Sequence, residues 1–186
     1  GKFDQWPQSK LSYRQLFQTH LDIDPFSADK QALAALAKRH GIDDMDMGRK
    51  QWLDLLISFV IQPALAEESL TFVYDFPVDQ AALARIRPTT PPLAERFELY
   101  LGRVELANGY QELTDATEQH RRFDAENELR EQAGADRCEV DQHLLAALAH
   151  GLPDCSGVAL GVDRLLMAIC NAATLDEVMA FPFSRA

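Results

Sequence analysis

Residues 156–167, with the sequence SGVALGVDRLLM, restrict this chain more than any other stretch. Gly157 and Gly161 alternate with small and branched apolar residues, a pattern suited to a buried strand that another backbone approaches closely. Over 162–167 the apolar spacing becomes helical. A strand that runs into a helix presents unpaired N–H groups and the positive end of the helix dipole, and Arg164 stands in that first turn. Two readings are open on these residues alone: an anion site for a polyphosphate, or a packed strand and helix with Arg164 solvated.

At 186 residues the chain is long enough for one sizeable core. We expect a single domain over 1–186, with 1–69 a mainly helical annex and 70–186 the sheet-bearing core. Hydrophobic content of 47% with 25% charged residues excludes general disorder. The net charge of −11, from 18 basic against 29 acidic residues, argues against nucleic acid as a direct partner, so tRNA binding by this part is not expected. No apolar run is long enough to cross a bilayer, which excludes a membrane partner. Cys138, Cys155 and Cys170 form no CxxC pair and are odd in number, so they read as reduced thiols of a cytoplasmic protein, filling core space. Because the first residue is Gly1, the chain reads as a processed end, a tag remnant or a piece of something longer.

Along the chain, 1–10 lack periodicity and read as an extended lead-in. Ser12 caps a helix carrying Tyr13, Leu16, Phe17 and Leu21 at helical spacing; Ser27 caps a second that ends near Gly41. A third runs over 47–60, with Trp52, Leu55, Leu56 and Phe59 as its apolar stripe and Pro63 as its stop. Residues 70–76, LTFVYDF, read as a buried strand ended by Pro77. Residues 78–85 suggest a short helix, and 88–92 a loop. Asp115 with Glu118 resembles a capping box opening a long charged helix to about residue 132. A further helix covers 140–150, and His143 and His150 lack partners at metal or catalytic spacing.

The chemistry concentrates between these helices. Residues 96–101 and 104–110 are strand-like and joined by Gly102-Arg103, which fits a tight hairpin. In that register Tyr100 faces Glu105, and Glu98 lies diagonal to it on one face. Two carboxylates so placed repel unless a proton or cation intervenes, and hard oxygen ligands suit Mg²⁺ bridging to phosphate; a solvated strand face is the other reading. In a regular strand Asn108, Tyr110 and Glu112 point away from Glu105. They converge with it only through a bulge or twist, which Asn108-Gly109 would allow.

Three segments taken in order carry a family likeness: 98–105 (ELYLGRVE), 105–116 (ELANGYQELTDA) and 157–164 (GVALGVDR). They resemble the C-terminal catalytic portion of class II lysyl-tRNA synthetases, and within that group the short paralogue lacking an anticodon domain. The likeness extends to 71–77 (TFVYDFP) and the tail near Phe181. It implies an α+β fold, a partial class II catalytic domain with an antiparallel sheet flanked by helices. By the same resemblance Glu98 and Glu105 hold Mg²⁺ and ATP, Arg164 is the catalytic motif 3 arginine on the ATP phosphates, and Asn108, Tyr110 and Glu112 line the amino-acid pocket. A buried ammonium needs a carboxylate such as Glu112, and an aromatic wall such as Tyr110 packs its methylenes.

Ala159 occupies a pocket position where lysyl-tRNA synthetases resemble one another in having glycine and the paralogue has alanine. The resemblance thus implies ATP-dependent activation of lysine or (R)-β-lysine, transferred to a lysine of elongation factor P. Class II motifs 1 and 2 find no counterpart, so we expect the C-terminal part of a homodimeric enzyme, inactive by itself. A fragment of a true lysyl-tRNA synthetase is the rival within the class, and a non-catalytic amino-acid-binding regulator the rival outside it. Glu98, Glu105, Glu112 and Arg164 together count against the regulator, since a pure binder has no use for the Mg²⁺ carboxylates.

Overall fold

Alternating apolar residues build the sheet around which the helices gather. The computed structural model describes residues 3–43 and 47–185. Its central strands are β2 (Leu70–Pro77) and β4 (Leu93–Leu101), antiparallel, with Val73 opposite Glu98 and Thr71 opposite Tyr100. On one side of β2 lies β1 (Gln8–Ser12), which runs parallel to it. Sequence reading leaves 1–10 as lead-in because five residues with mixed burial carry no periodic signal; pairing with Leu70 onward makes them a strand. The short β3 (Ile86–Arg87) flanks the start of β4. Across the Gly102 turn β4 pairs with β5 (Val104–Gln111), and β6 (Ser156–Leu160) closes the order β1-β2-β4-β5-β6. The fold is α+β, with an open, mostly antiparallel sheet.

Gly102 has a reason to be glycine. Its φ of 58° is left-handed, and a Cβ there would strike the Glu67 carbonyl.

Helices α1 (Tyr13–Leu21), α2 (Lys30–Arg39) and α3 (Arg49–Leu56) pack on one face of the sheet. Ser12 caps α1 in a reciprocal box with Gln15. The cap of α2 is Asp29, not Ser27, because the Asp29 carboxylate reaches the Ala32 amide while 25–28 form a turn. Beyond α3 the helix loosens into a π-helical turn, Ile57–Ile61, and then continues as α4 (Gln62–Ala64). Pro63 therefore lies in the first turn of α4, where it needs no N–H partner. Tyr13, Phe17, Trp52, Leu53 and Leu56 are fully buried and share one core with Val73, Phe76 and Tyr100 of the sheet.

The segment 78–85 makes only a 3₁₀ turn at Val78–Gln80. The long charged helix α5 (Ala116–Gln132) starts at Asp115, whose carboxylate accepts from Thr117 and Glu118; α6 (Gln142–His150) packs beside it. Last comes α7 (Val162–Cys170), capped by Asn171 in the left-handed region. The 156–160 strand expected to be buried is an edge strand with Val158 63% exposed. The cysteines fill no core either: Cys138 and Cys170 are exposed and Cys155 half-buried. Among the described residues no helix is long and apolar enough to cross a membrane.

Candidate active site

The β4–β5 hairpin decides the site through one irregularity. Arg96 pairs with Tyr110, Glu98 with Asn108 and Leu99 with Ala107, but the next pair is Tyr100 with Glu105. One step on β4 therefore matches two on β5, which leaves Leu106 as the extra residue of a bulge. Each residue added to one strand reverses the facing of everything beyond it. Glu105, Asn108 and Tyr110 thus share the face of Arg96, Glu98 and Tyr100. It is the bulge that convergence of these groups requires, and it lies beside Glu105 rather than at Asn108-Gly109.

β6 extends this face. Gly157 pairs with Tyr110 and Ala159 with Asn108. A Cβ on Gly157 would fall on the Glu112 carboxylate, so the missing side chain is what gives Glu112 its place. Asn108, Tyr110, Glu112 and Ala159 consequently border one patch, next to the one bearing Glu98 and Glu105. Neither the Glu105 nor the Glu112 carboxylate has a hydrogen-bonding or ion-pair partner among the described residues, which leaves both open to cationic ligands.

Glu98 differs. It is 8% exposed, its Oε1 accepts from Arg96 Nη2 at 2.6 Å, and its Oε2 accepts from the Tyr100 hydroxyl at 2.6 Å. Burial is the largest influence on its carboxyl and raises its pKa above the ordinary value, against the lowering effects of Arg96 and Tyr100; nearby Glu105 and Asp54 push it further up. The Tyr100 phenol is driven upward by burial and by the Glu98 charge it touches, so it stays a donor. Tyr110 is likewise raised, by burial first and then by the charge of Glu112.

A cavity of about 220 Å³ opens against Glu98, Tyr100 and Glu105, roofed by Ile57, Ser58 and Gln62 of the loosened helix. Two carboxylates there suit Mg²⁺, which commonly takes one or two protein carboxylates and completes its shell with water and substrate phosphate. Among the described residues no cluster of three or more acidic, His or Cys ligands occurs.

Arg164 lies apart. Its Nη1 donates to the main-chain carbonyl of Glu105 at 2.6 Å and its stem folds back over Gly161. It lines a different, larger cavity of about 680 Å³ between β5 and α7, with Arg103, Leu106 and Met167. The structure therefore joins Arg164 to the backbone of Glu105 but not to its carboxylate.

Sequence reading missed Arg96 altogether. Its Nε donates to Asn108 Oδ1 at 3.2 Å, its Nη1 to the Gln80 carbonyl at 2.9 Å, and its guanidinium stacks 4.6 Å from the Phe76 ring centroid. The one available signal was its position two residues before Glu98 on an alternating strand. Asp54, also unremarked, accepts from Gln80 Nε2 at 2.9 Å, and burial first of all raises its carboxyl.

A family model described as tRNA synthetases class II (D, K and N) matches residues 6–185. The chain belongs to the class II tRNA synthetases. Among curated members similar to it is the elongation factor P--(R)-beta-lysine ligase of Edwardsiella ictaluri (strain 93-146), 50% identical over 179 residues, which cover 95% of this chain and 55% of the relative. The same-named proteins of Klebsiella pneumoniae (strain 342) and Salmonella paratyphi B are 48% and 49% identical, each covering 97% of this chain and 56% of its own length. This class II chain thus spans little more than half the length of those relatives.

Proposed function

We propose that the protein activates lysine or (R)-β-lysine with ATP and transfers it to a lysine of elongation factor P. The observation that carries this reading is the bulge at Leu106, which gathers Glu98, Glu105, Asn108 and Tyr110 on one face beside Glu112 and Ala159. The name shared by the similar ligases supplies the substrate and acceptor.

In this reading Glu112 takes the side-chain ammonium, Tyr110 packs the methylenes, and Asn108 stands toward the reacting end. Glu98 and Glu105 hold the Mg²⁺, which when bound neutralises phosphate charge and orients the nucleotide. The amino-acid carboxylate oxygen attacks the α-phosphorus and pyrophosphate leaves. The ε-amine of the acceptor lysine then attacks the acyl carbon, and AMP departs with the electron pair of the broken C–O bond. Arg164 is assigned to the ATP phosphates, which requires its guanidinium to exchange the Glu105 carbonyl for the nucleotide; its exposed stem permits that swing.

Ala159 favours ligation to a protein over charging of tRNA, and the net charge of −11 agrees. The working enzyme is a cytoplasmic homodimer. The test is ATP–pyrophosphate exchange by the purified enzyme with lysine and with (R)-β-lysine, followed by transfer to elongation factor P or to tRNA. Exchange that favours β-lysine, with label appearing on elongation factor P, is expected. No exchange with either amino acid would sink the reading, and label on tRNA would redirect it.

A further inference from the structure

Arg96 is the most heavily engaged polar side chain near the site, and every one of its three nitrogens is used. Nη2 holds Glu98, Nε holds Asn108, and Nη1 is anchored on the Gln80 carbonyl. Phe76 supports the guanidinium plane from one side, and the side chain is 17% exposed. A planar fork fixed at this many points has essentially one orientation. Its two side-chain partners come from different halves of the proposed site, Glu98 from the nucleotide side and Asn108 from the amino-acid side.

We infer that Arg96 is a positioning residue that locks Glu98 and Asn108 into a single rigid unit, so that the nucleotide and amino-acid halves of the site depend on the same side chain. Arginine only donates, so the Asn108 oxygen must turn toward it and the amide Nδ2 outward. The sheet adds the reason for its placement. Residues 96, 98 and 108 lie on one face, with Glu98 directly opposite Asn108, so one fork two residues along spans both. Tyr100 serves as the contrast, because among the described residues its hydroxyl reaches Glu98 alone.

The inference rests on the proposed function, and the experiment separates the two. Calorimetry on the purified enzyme measures Mg²⁺–ATP and lysine affinities separately, with melting temperature recorded in parallel. In Arg96→Lys a point charge replaces the fork, and both affinities are expected to weaken about tenfold, the size of one lost charge-assisted hydrogen bond. In Tyr100→Phe only the Mg²⁺–ATP affinity should weaken. Should Arg96→Lys fail to fold, Arg96→Gln, which keeps two donors, takes its place. Lysine affinity unchanged in the Arg96 variant overturns the inference, whatever happens to Mg²⁺–ATP. Glu112→Gln checks the parent reading: a variant that binds lysine as the parent does would remove the amino-acid pocket and the inference with it.

Discussion

The hairpin and the β6–α7 unit carry the same family's residues in opposite physical settings. On the hairpin, Glu98 is buried, ion-paired to Arg96 and hydrogen-bonded to Tyr100, over a core that includes Phe76 and Val73. On β6–α7, Val158, Leu160 and Ile169 are exposed, and Arg164 is held by one bond to a main-chain carbonyl. Burial makes the first set of groups rigid and costly to disturb. Exposure leaves the second set adjustable. Under the proposed function the division is useful: Glu98, fixed by Arg96 and Tyr100, holds the cation in one place, while Arg164, held by a single bond, can follow the nucleotide.

The largest expected effect breaks the rigid side. Glu98→Ala removes one partner of a buried pair and should cost about 3–5 kcal/mol in chemical denaturation, because Arg96 is left buried and uncompensated. Glu98 also carries a pH signature. Its pKa is raised in the folded state, so the folded protein holds that proton more tightly than the unfolded chain does. Its contribution to stability is therefore greatest below the ordinary glutamate value of 4.5 and is lost as pH rises through the higher folded value. Glu98→Gln should flatten that part of a stability–pH profile; an unchanged slope would mean that Glu98 titrates as if exposed.

Next in size, Glu105→Gln should slow pyrophosphate exchange by about 10²–10³-fold, on the scale of losing one positioned electrostatic group, and raise the Mg²⁺ requirement. Because the Glu105 carboxylate has no hydrogen-bonding or ion-pair partner among the described residues, the fold should tolerate this change, and a large fall in melting temperature would blur the distinction between the two carboxylates. Ala159→Gly should shift preference toward α-lysine by about 1–3 kcal/mol, the range for one added or missing methylene against a bound substrate. An unaltered ratio of specificity constants would remove the basis for preferring β-lysine.

The smallest effect belongs to the adjustable side. Arg164→Ala should change stability by no more than about 0.5 kcal/mol, as surface substitutions do, while weakening ATP binding. Severe unfolding in that variant would erase the contrast between the two regions.

Much of this was legible beforehand. Gly102-Arg103 announced the hairpin, Ser12 its helix cap and Asp115 the start of the charged helix, because each acts through neighbours a few residues away. The three ordered segments at 98–105, 105–116 and 157–164 pointed to the family, and the match over 6–185 bears that out. Burial was less legible. Cys138 and Cys170, apolar enough for a core, are exposed, and β6, whose composition suits an interior strand, forms an edge.

What the sequence by itself determined is therefore the local grammar and the kinship: which residues turn, cap and alternate, and which family they belong to. Only the tertiary structure decided which functional groups meet. A strand's facing has a period of two, so one bulged residue at Leu106 reverses it, and no local preference marks where that residue will fall. The same holds for Arg96, whose partners lie 2, 12 and 16 residues away: strand register brings Glu98 and Asn108 to it, and the turn at Val78–Gln80 adds the Gln80 carbonyl.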